Sequence, residues 1–139
     1  MSKPQILIIE DNPADVELLR LALDELEEPN ELVVLRDGAE ALDFVKDRRS
    51  GINEPDLCAI LLDLYLPKYD GMEVLAALKR EPTLRDIRVV VLTSTLVTRQ
   101  YEEKIKDLGA ALRLKPRNYS EVLELAKYVL EVCKGPVAV

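Results

Sequence analysis

The residues Cys58-Ala59-Ile60-Leu61-Leu62 form an apolar run that ends in a single carboxylate, Asp63. A strand with one wet face alternates apolar and polar residues, and this run does not alternate. It therefore reads as a central strand of a parallel sheet, covered on both faces. In open α/β sheets ligands bind at the carboxyl tips of the strands, and Asp63 stands at such a tip. An aspartate can also end a strand simply because the next residues are solvated. The weight of Asp63 thus depends on what the rest of the chain brings to the same edge.

Before this run, Gln5 to Ile9 is a short apolar stretch punctuated by Glu10-Asp11-Asn12-Pro13. Leu19, Ala22, Leu23 and Leu26 recur at helical spacing from Ala14 to about Leu26, and Leu32-Val33-Val34-Leu35 is a second strand. Asp37-Gly38 leads into a helix carrying Ala41, Leu42 and Val45, and a polar loop is expected from Arg48 to Asp56. After the central strand comes a loop at Pro67-Lys68-Tyr69-Asp70-Gly71, then a helix marked by Met72, Leu75 and Leu78 that Pro82 ends. Ile87 to Leu92 is a fourth strand, followed by Thr93-Ser94-Thr95. A helix over Thr98 to Leu108 puts Tyr101, Ile105 and Leu108 on one face, with Gly109 as C-cap. Ala110 to Leu114 is a fifth strand ending at Lys115-Pro116. The last helix, Tyr119 to Cys133, stripes Val122, Leu125, Ala126, Val129, Leu130 and Cys133, and Gly135-Pro136 closes it. Five alternations of strand and helix call for an α/β fold, a parallel sheet with helices on both faces. There is no internal repeat or low-complexity linker, so residues 1–139 read as one domain.

Composition removes several kinds of chemistry. The 139 residues contain no histidine, which excludes Ser-His-Asp and Cys-His catalysis, His-ligated zinc and a phosphohistidine carrier. Cys58 and Cys133 lie in apolar contexts and are expected as buried free thiols rather than a disulfide. A formal net charge of −7 argues against a nucleic-acid partner, and the cluster Lys46, Arg48, Arg49 reads as the polar end of a helix. No apolar run approaches the roughly 20 residues of a membrane span. The start, Met1-Ser2-Lys3-Pro4, has no signal-peptide core. A cytoplasmic protein is expected.

What remains collects at strand ends: Glu10 and Asp11 after the first, Asp63 after the third, Thr93 after the fourth, Lys115 after the fifth. In a parallel sheet these ends share one edge. Three carboxylates together repel unless a cation sits among them, and an all-oxygen donor set suits Mg²⁺. A lysine and a hydroxyl beside them can receive a phosphoryl group, and an aspartate can be the nucleophile that accepts it. Each residue type is common at surfaces and turns. Their joint placement at four strand ends is what carries the reading.

With those residues in place, the chain resembles the receiver (response-regulatory, CheY-like) domains of two-component signalling over essentially its whole length. The resemblance implies a flavodoxin-like (βα)5 fold with strand order 2-1-3-4-5. It implies Asp63 as phosphoacceptor, Asp11 and Asp63 as Mg²⁺ ligands, Glu10 acting through water, and the backbone carbonyl of Tyr65 as a further ligand. Thr93 becomes the switch hydroxyl on the phosphoryl group and Lys115 its pairing cation, with the Lys115–Pro116 bond expected cis as in relatives. Glu-Asp-Asn-Pro-Ala-Asp (10–15), Leu-Asp-Leu-Tyr-Leu-Pro-Lys-Tyr-Asp-Gly (62–71), Val-Leu-Thr-Ser-Thr (91–95) and the long 48–56 loop resemble small stand-alone receivers partnered with bacterial phytochrome histidine kinases.

Three positions depart from the family pattern. Leu112 stands where an inward-swinging aromatic is common, so the switch is expected to rest on Thr93 and the 98–108 helix. Arg117 follows Lys-Pro where a hydrophobic residue is usual. Tyr65 puts a ring beside the metal site and is expected to alter phosphoryl lifetime through access of the hydrolytic water.

The function implied is a single-domain response regulator without an output domain. A sensor histidine kinase, with a bacteriophytochrome as the candidate, phosphorylates Asp63, and a protein–protein face then switches. The readout is expected to be protein–protein, with the downstream partner unknown. The face formed by the last two helices and the fifth strand, with exposed Tyr128 contributing, permits a homodimer, and the alternative is that the apolar stripe of the last helix is entirely intramolecular core. The protein is expected not to be an enzyme beyond its own phosphoryl transfer and dephosphorylation. The alternative is a receiver-fold interaction module that is never phosphorylated; the intact set Glu10, Asp11, Asp63, Thr93 and Lys115 speaks against it. An FMN protein would need a Ser-, Thr- or Gly-rich loop after the first strand, and an aspartyl-phosphate phosphatase an Asp-x-Asp there. Neither pattern is present.

Overall fold

The computed structural model describes residues 3–49, 57–66, 70–94 and 97–135. Among these residues five strands and five helices alternate: β1 (Gln5–Ile9), α1 (Pro13–Glu25), β2 (Glu31–Leu35), α2 (Gly38–Arg49), β3 (Leu57–Asp63), α3 (Gly71–Arg80), β4 (Val89–Thr93), α4 (Arg99–Asp107), β5 (Ala111–Leu114) and α5 (Tyr119–Cys133). All strand pairings are parallel and the order is β2-β1-β3-β4-β5. β3 is central, and Ala59 to Leu62 are fully buried. The unalternating run behaves as a strand covered on both faces should.

Two apolar layers flank the sheet. Ile6, Ile8, Ala59, Leu61, Val90 and Leu92 pack against α1 and α5, where Ala22 and Ala126 are completely buried. Leu7, Ile9, Ile60, Leu62, Val89 and Val91 face α2, α3 and α4. Side chains of Asn12, Asp70, Thr98 and Asn118 cap α1, α3, α4 and α5 at their N-termini. Every capped end lies at the carboxyl edge of the sheet, since each helix runs back from it. Gly109 takes φ 79° after α4, as a C-cap glycine does.

The structure corrects several expectations. Cys58 and Cys133 are joined as a disulfide, with Cα atoms 4.7 Å apart. The reason lies in the register. Gln5 pairs with Leu57 and Ile6 with Ala59, so Cys58 is an extra residue in β3. In regular alternation Cys58 would share the face of Ile60 and Leu62. The bulge instead turns it toward the α1/α5 layer, beside Cys133. The Lys115–Pro116 bond is trans, since no cis peptide is present among the described residues.

Arg48 is not a solvated helix end but buried at 7% exposure, because α2 runs on to Arg49 and turns that position inward. Tyr128 is half-buried in the α1/α5 layer, with the Arg113 guanidinium 4.3 Å from its ring centroid. Tyr101 points outward on α4, which buries Ile105 alone. β4 begins at Val89 rather than Ile87, whose N–H is taken by the Leu84 carbonyl in a turn. The expected loops at 50–56 and 67–69, Thr95 and Pro136 lie outside the described residues.

Because Ala126 is fully enclosed between α5 and the sheet, a larger side chain there must displace backbone. Ala126→Leu is expected to cost about 1–3 kcal/mol, read as a lower urea midpoint with an unchanged slope.

Candidate functional site

Backbone bonds continue past the strand ends and fix the residues that follow. The Glu10 N–H donates to Leu35 O at 2.9 Å, the Leu64 N–H to Leu92 O at 2.9 Å, and the Lys115 N–H to Thr93 O at 2.7 Å. Glu10, Asp63 and Lys115 are therefore positioned by the sheet itself. Glu10, Asp63 and Thr93 are buried, with exposures of 3%, 5% and 1%, while Asp11 is exposed at the rim.

Glu10, Asp11 and Asp63 each offer a carboxylate oxygen within 4.8 Å of the others. The Lys115 ammonium reaches into this group. It donates to Glu10 Oε1 at 2.9 Å, to Asp63 Oδ2 at 3.2 Å and to Asp15 Oδ2 at 3.5 Å. The other oxygen of Asp63, Oδ1, accepts the Tyr65 N–H at 3.1 Å. Tyr65 thus meets Asp63 through its backbone, and its ring stands 58% exposed. Asp15 was not among the residues singled out by strand ends. It sits in the first turn of α1, four residues after Asp11, and that helical spacing after an acidic pair was the available signal.

Burial pushes the Glu10 carboxyl up, the hydrogen bond from Lys115 pulls it back, and Asp63 raises it again, leaving its pKa at about 8. Burial alone would lower the Lys115 pKa, but Glu10 and Asp63 outweigh it and hold the ammonium well above its ordinary range. One lysine does not neutralise this many carboxylates. The donor set is all oxygen, partly buried and open at Asp11, which suits a hard divalent cation that keeps some of its waters.

The turn between β3 and α3 is held by Gly71, whose N–H donates to Leu64 O at 3.1 Å. A Cβ on Gly71 would collide with the Leu64 carbonyl oxygen and lie 2.8 Å from its Cα. This close approach is the reason a glycine opens α3. On the far side of Lys115, a cavity of about 220 Å³ opens between α1 and the β5–α5 turn, lined by Glu10, Asp15, Leu18, Lys115, Tyr119 and Val122 among others.

A doubly wound sheet with buried carboxylates and a lysine at its carboxyl edge defines a class of signalling domain. The profile of the response regulator receiver domain matches residues 6–127, and the chain belongs to that family, whose members act in two-component signalling. Response regulator Rcp1 of Synechocystis is 46% identical over 90 residues, which are 65% of this chain and 61% of that protein. The probable methanogenesis regulatory protein FilR2 of Methanothrix harundinacea is 34% identical over 131 residues, covering 94% of this chain and 83% of FilR2. Among solved structures, the phosphorylated cyanobacterial phytochrome response regulator RcpA superposes with a TM-score of 0.83 at 35% identity, covering 99% of this chain and 98% of RcpA. The Mn²⁺-bound form of Rcp1 gives 0.81 at 34% identity, covering 99% of each chain. Among the described residues, no helix is long and apolar enough to cross a membrane.

Two predictions follow from this geometry. Gly71→Ala must push Leu64 and the turn away from β3, with a loss of about 1–3 kcal/mol in urea unfolding and weaker divalent-ion binding by titration. The second concerns pH. Glu10 has a folded pKa of about 8 against an ordinary 4.5, so the folded chain keeps a proton that the unfolded chain releases. That contribution is complete below pH 4.5 and disappears as pH rises through about 8. In EDTA the urea midpoint is expected to fall across this window, and in Glu10→Gln that part of the fall should be missing.

Proposed function

We propose that this chain is a phosphorylation-operated switch in which Asp63 accepts a phosphoryl group from a sensor histidine kinase. The single observation that carries the reading is the placement of Lys115, bonded at once to Asp63 and Glu10. It holds the acceptor carboxylate from one side while the Tyr65 N–H holds it from the other. An oxygen of Asp63 attacks phosphorus, the bond from phosphorus to the donor breaks, and the donor leaves with the electron pair. The ammonium of Lys115 then lies beside the new phosphoryl oxygens and offsets their charge. Thr93, buried at the end of β4, supplies the hydroxyl that reports the new group.

Mg²⁺ is the cation we assign to the cluster. Asp11 and Asp63 would hold it directly, Glu10 through water, and the Tyr65 carbonyl would complete the protein donors. When bound, it neutralises charge developing on the transferred group. No turnover of an external substrate is assigned; the chain promotes only its own phosphorylation and hydrolysis. The kinase proposed is of the bacteriophytochrome class, on the likeness to RcpA and to the bacteriophytochrome response regulator AtBRR, which matches with a TM-score of 0.71 at 35% identity.

The output we propose is a protein face formed by α4, β5 and α5, used for a homodimer or a downstream protein. β5 is an edge strand that leaves Leu114 54% exposed, and α4 is anchored by the single buried residue Ile105. An element so lightly held can shift at low cost when a group added at Asp63 draws on Thr93.

The test is incubation with Mg²⁺ and acetyl phosphate followed by intact mass. A phosphoryl adduct is expected on the native chain and should be missing in Asp63→Asn and in EDTA. An adduct that persists in Asp63→Asn would move the acceptor elsewhere. A folded native chain that takes neither the phosphoryl group nor beryllofluoride would favour the unphosphorylated interaction module.

A further inference from the structure

The bulge in β3 has no role in the carboxylate site, which lies at the opposite end of the strand. Its effect is on Cys58. Without the extra residue between the Gln5–Leu57 and Ile6–Ala59 pairings, that side chain would face away from α5. With it, Cys58 meets Cys133 in the last turn of the last helix. We infer that Cys58 and Cys133 are a reversible redox pair that sets how firmly the C-terminal end of α5 is held on β3.

Three observations favour a switch over a permanent staple. Both cysteines are half-buried rather than sealed, so a thiolate from solution can reach the bond. The elements they join are already held by apolar packing in the same layer: Ala59 and Leu61 on β3, and Val129, Leu130 and Val132 on α5, are all buried. The fold therefore has a core that persists when the bond is cut. Finally, the remaining tie described just beyond Cys133 is polar and exposed, from Lys134 Nζ to Glu28 Oε1 at 3.2 Å, and contributes little. Cutting the disulfide should loosen the last turn of α5, where the half-buried Cys133 lies, and leave the sheet intact. Because the loop between the cysteines spans 75 residues and contains Asp63, Thr93 and Lys115, the oxidised form also cross-links the strand bearing Asp63 to the helix that follows Lys115.

The exchange balances with a low-molecular-weight disulfide as oxidant. One cysteine thiolate attacks it and expels a thiolate, the second cysteine displaces the remaining half, and the two protein thiols lose two protons and two electrons in all. A dithiol reverses the reaction.

The experiment treats the full chain with glutathione disulfide or with dithiothreitol under native conditions, then with iodoacetamide, and reads intact mass. No alkyl group is expected on the oxidised chain and two on the reduced one. The melting temperature should fall by about 5–10 °C on reduction. Hydrogen exchange should quicken at residues 129–135 but not in the β3 amides of residues 59–63. A Cys58→Ser/Cys133→Ser double variant should match the reduced chain under both conditions, and if it fails to fold, the reduced native chain makes the same comparison. Two alkyl groups after oxidant would overturn the pairing. A bond that resists dithiothreitol until the protein is unfolded would make it a fixed staple and end the proposal. Equal melting and exchange in both states would show that the bond holds nothing. None of these readouts involves phosphoryl chemistry, so they stand or fall apart from the role of Asp63.

Discussion

The interaction on which the rest depends is the ammonium of Lys115 set among Glu10, Asp15 and Asp63. Two of those carboxylates are buried, and a buried carboxylate without a partner is driven to take up a proton. Glu10 shows this pressure in its raised pKa even with the lysine 2.9 Å away. The sheet can carry such a site because hydrophobic packing on both faces supplies its stability independently. It also carries the site at one edge only, where parallel strands all end together.

The same arrangement explains how rigid and loose parts divide. Asp63 leaves the central strand, and its carboxylate accepts hydrogen bonds from Lys115 and the Tyr65 backbone, each fixed by a strand end or a turn. Gly71 keeps that turn tight by letting α3 begin against the Leu64 carbonyl. α4, in contrast, buries one residue. A site that must keep its geometry and an element that can change its packing are thus built into neighbouring segments of one sheet. Tyr128, shielded by Arg113, belongs to the firmer part and adds less free apolar surface to α5 than its place in the sequence promised.

Most of the candidate site was legible in the sequence. Glu10, Asp11, Asp63, Thr93 and Lys115 follow apolar runs, and parallel strands bring run-ends together whatever the details of packing. The helices were legible through their 3.6-residue stripes and the glycines and prolines near their ends, with errors of a residue or two at their ends. Asp15 escaped because its contact with Lys115 joins the first turn of α1 to the end of β5, residues 100 positions apart. Arg48 and Tyr128 escaped for a related reason. Long side chains with a polar end can lie buried or exposed, and only the neighbours decide.

The sequence by itself determined the alternation of strands and helices, the doubly covered central strand and the set of reactive residues at one edge. These depend on local periodicity and on the direction of parallel strands. Tertiary structure alone decided the disulfide. Cys58 reaches Cys133 because one extra residue slips into the β1–β3 pairing and reverses which face that side chain takes. Alternation along a strand has a period of two, so a single inserted residue changes the face, and the insertion is a property of two paired strands rather than of either one.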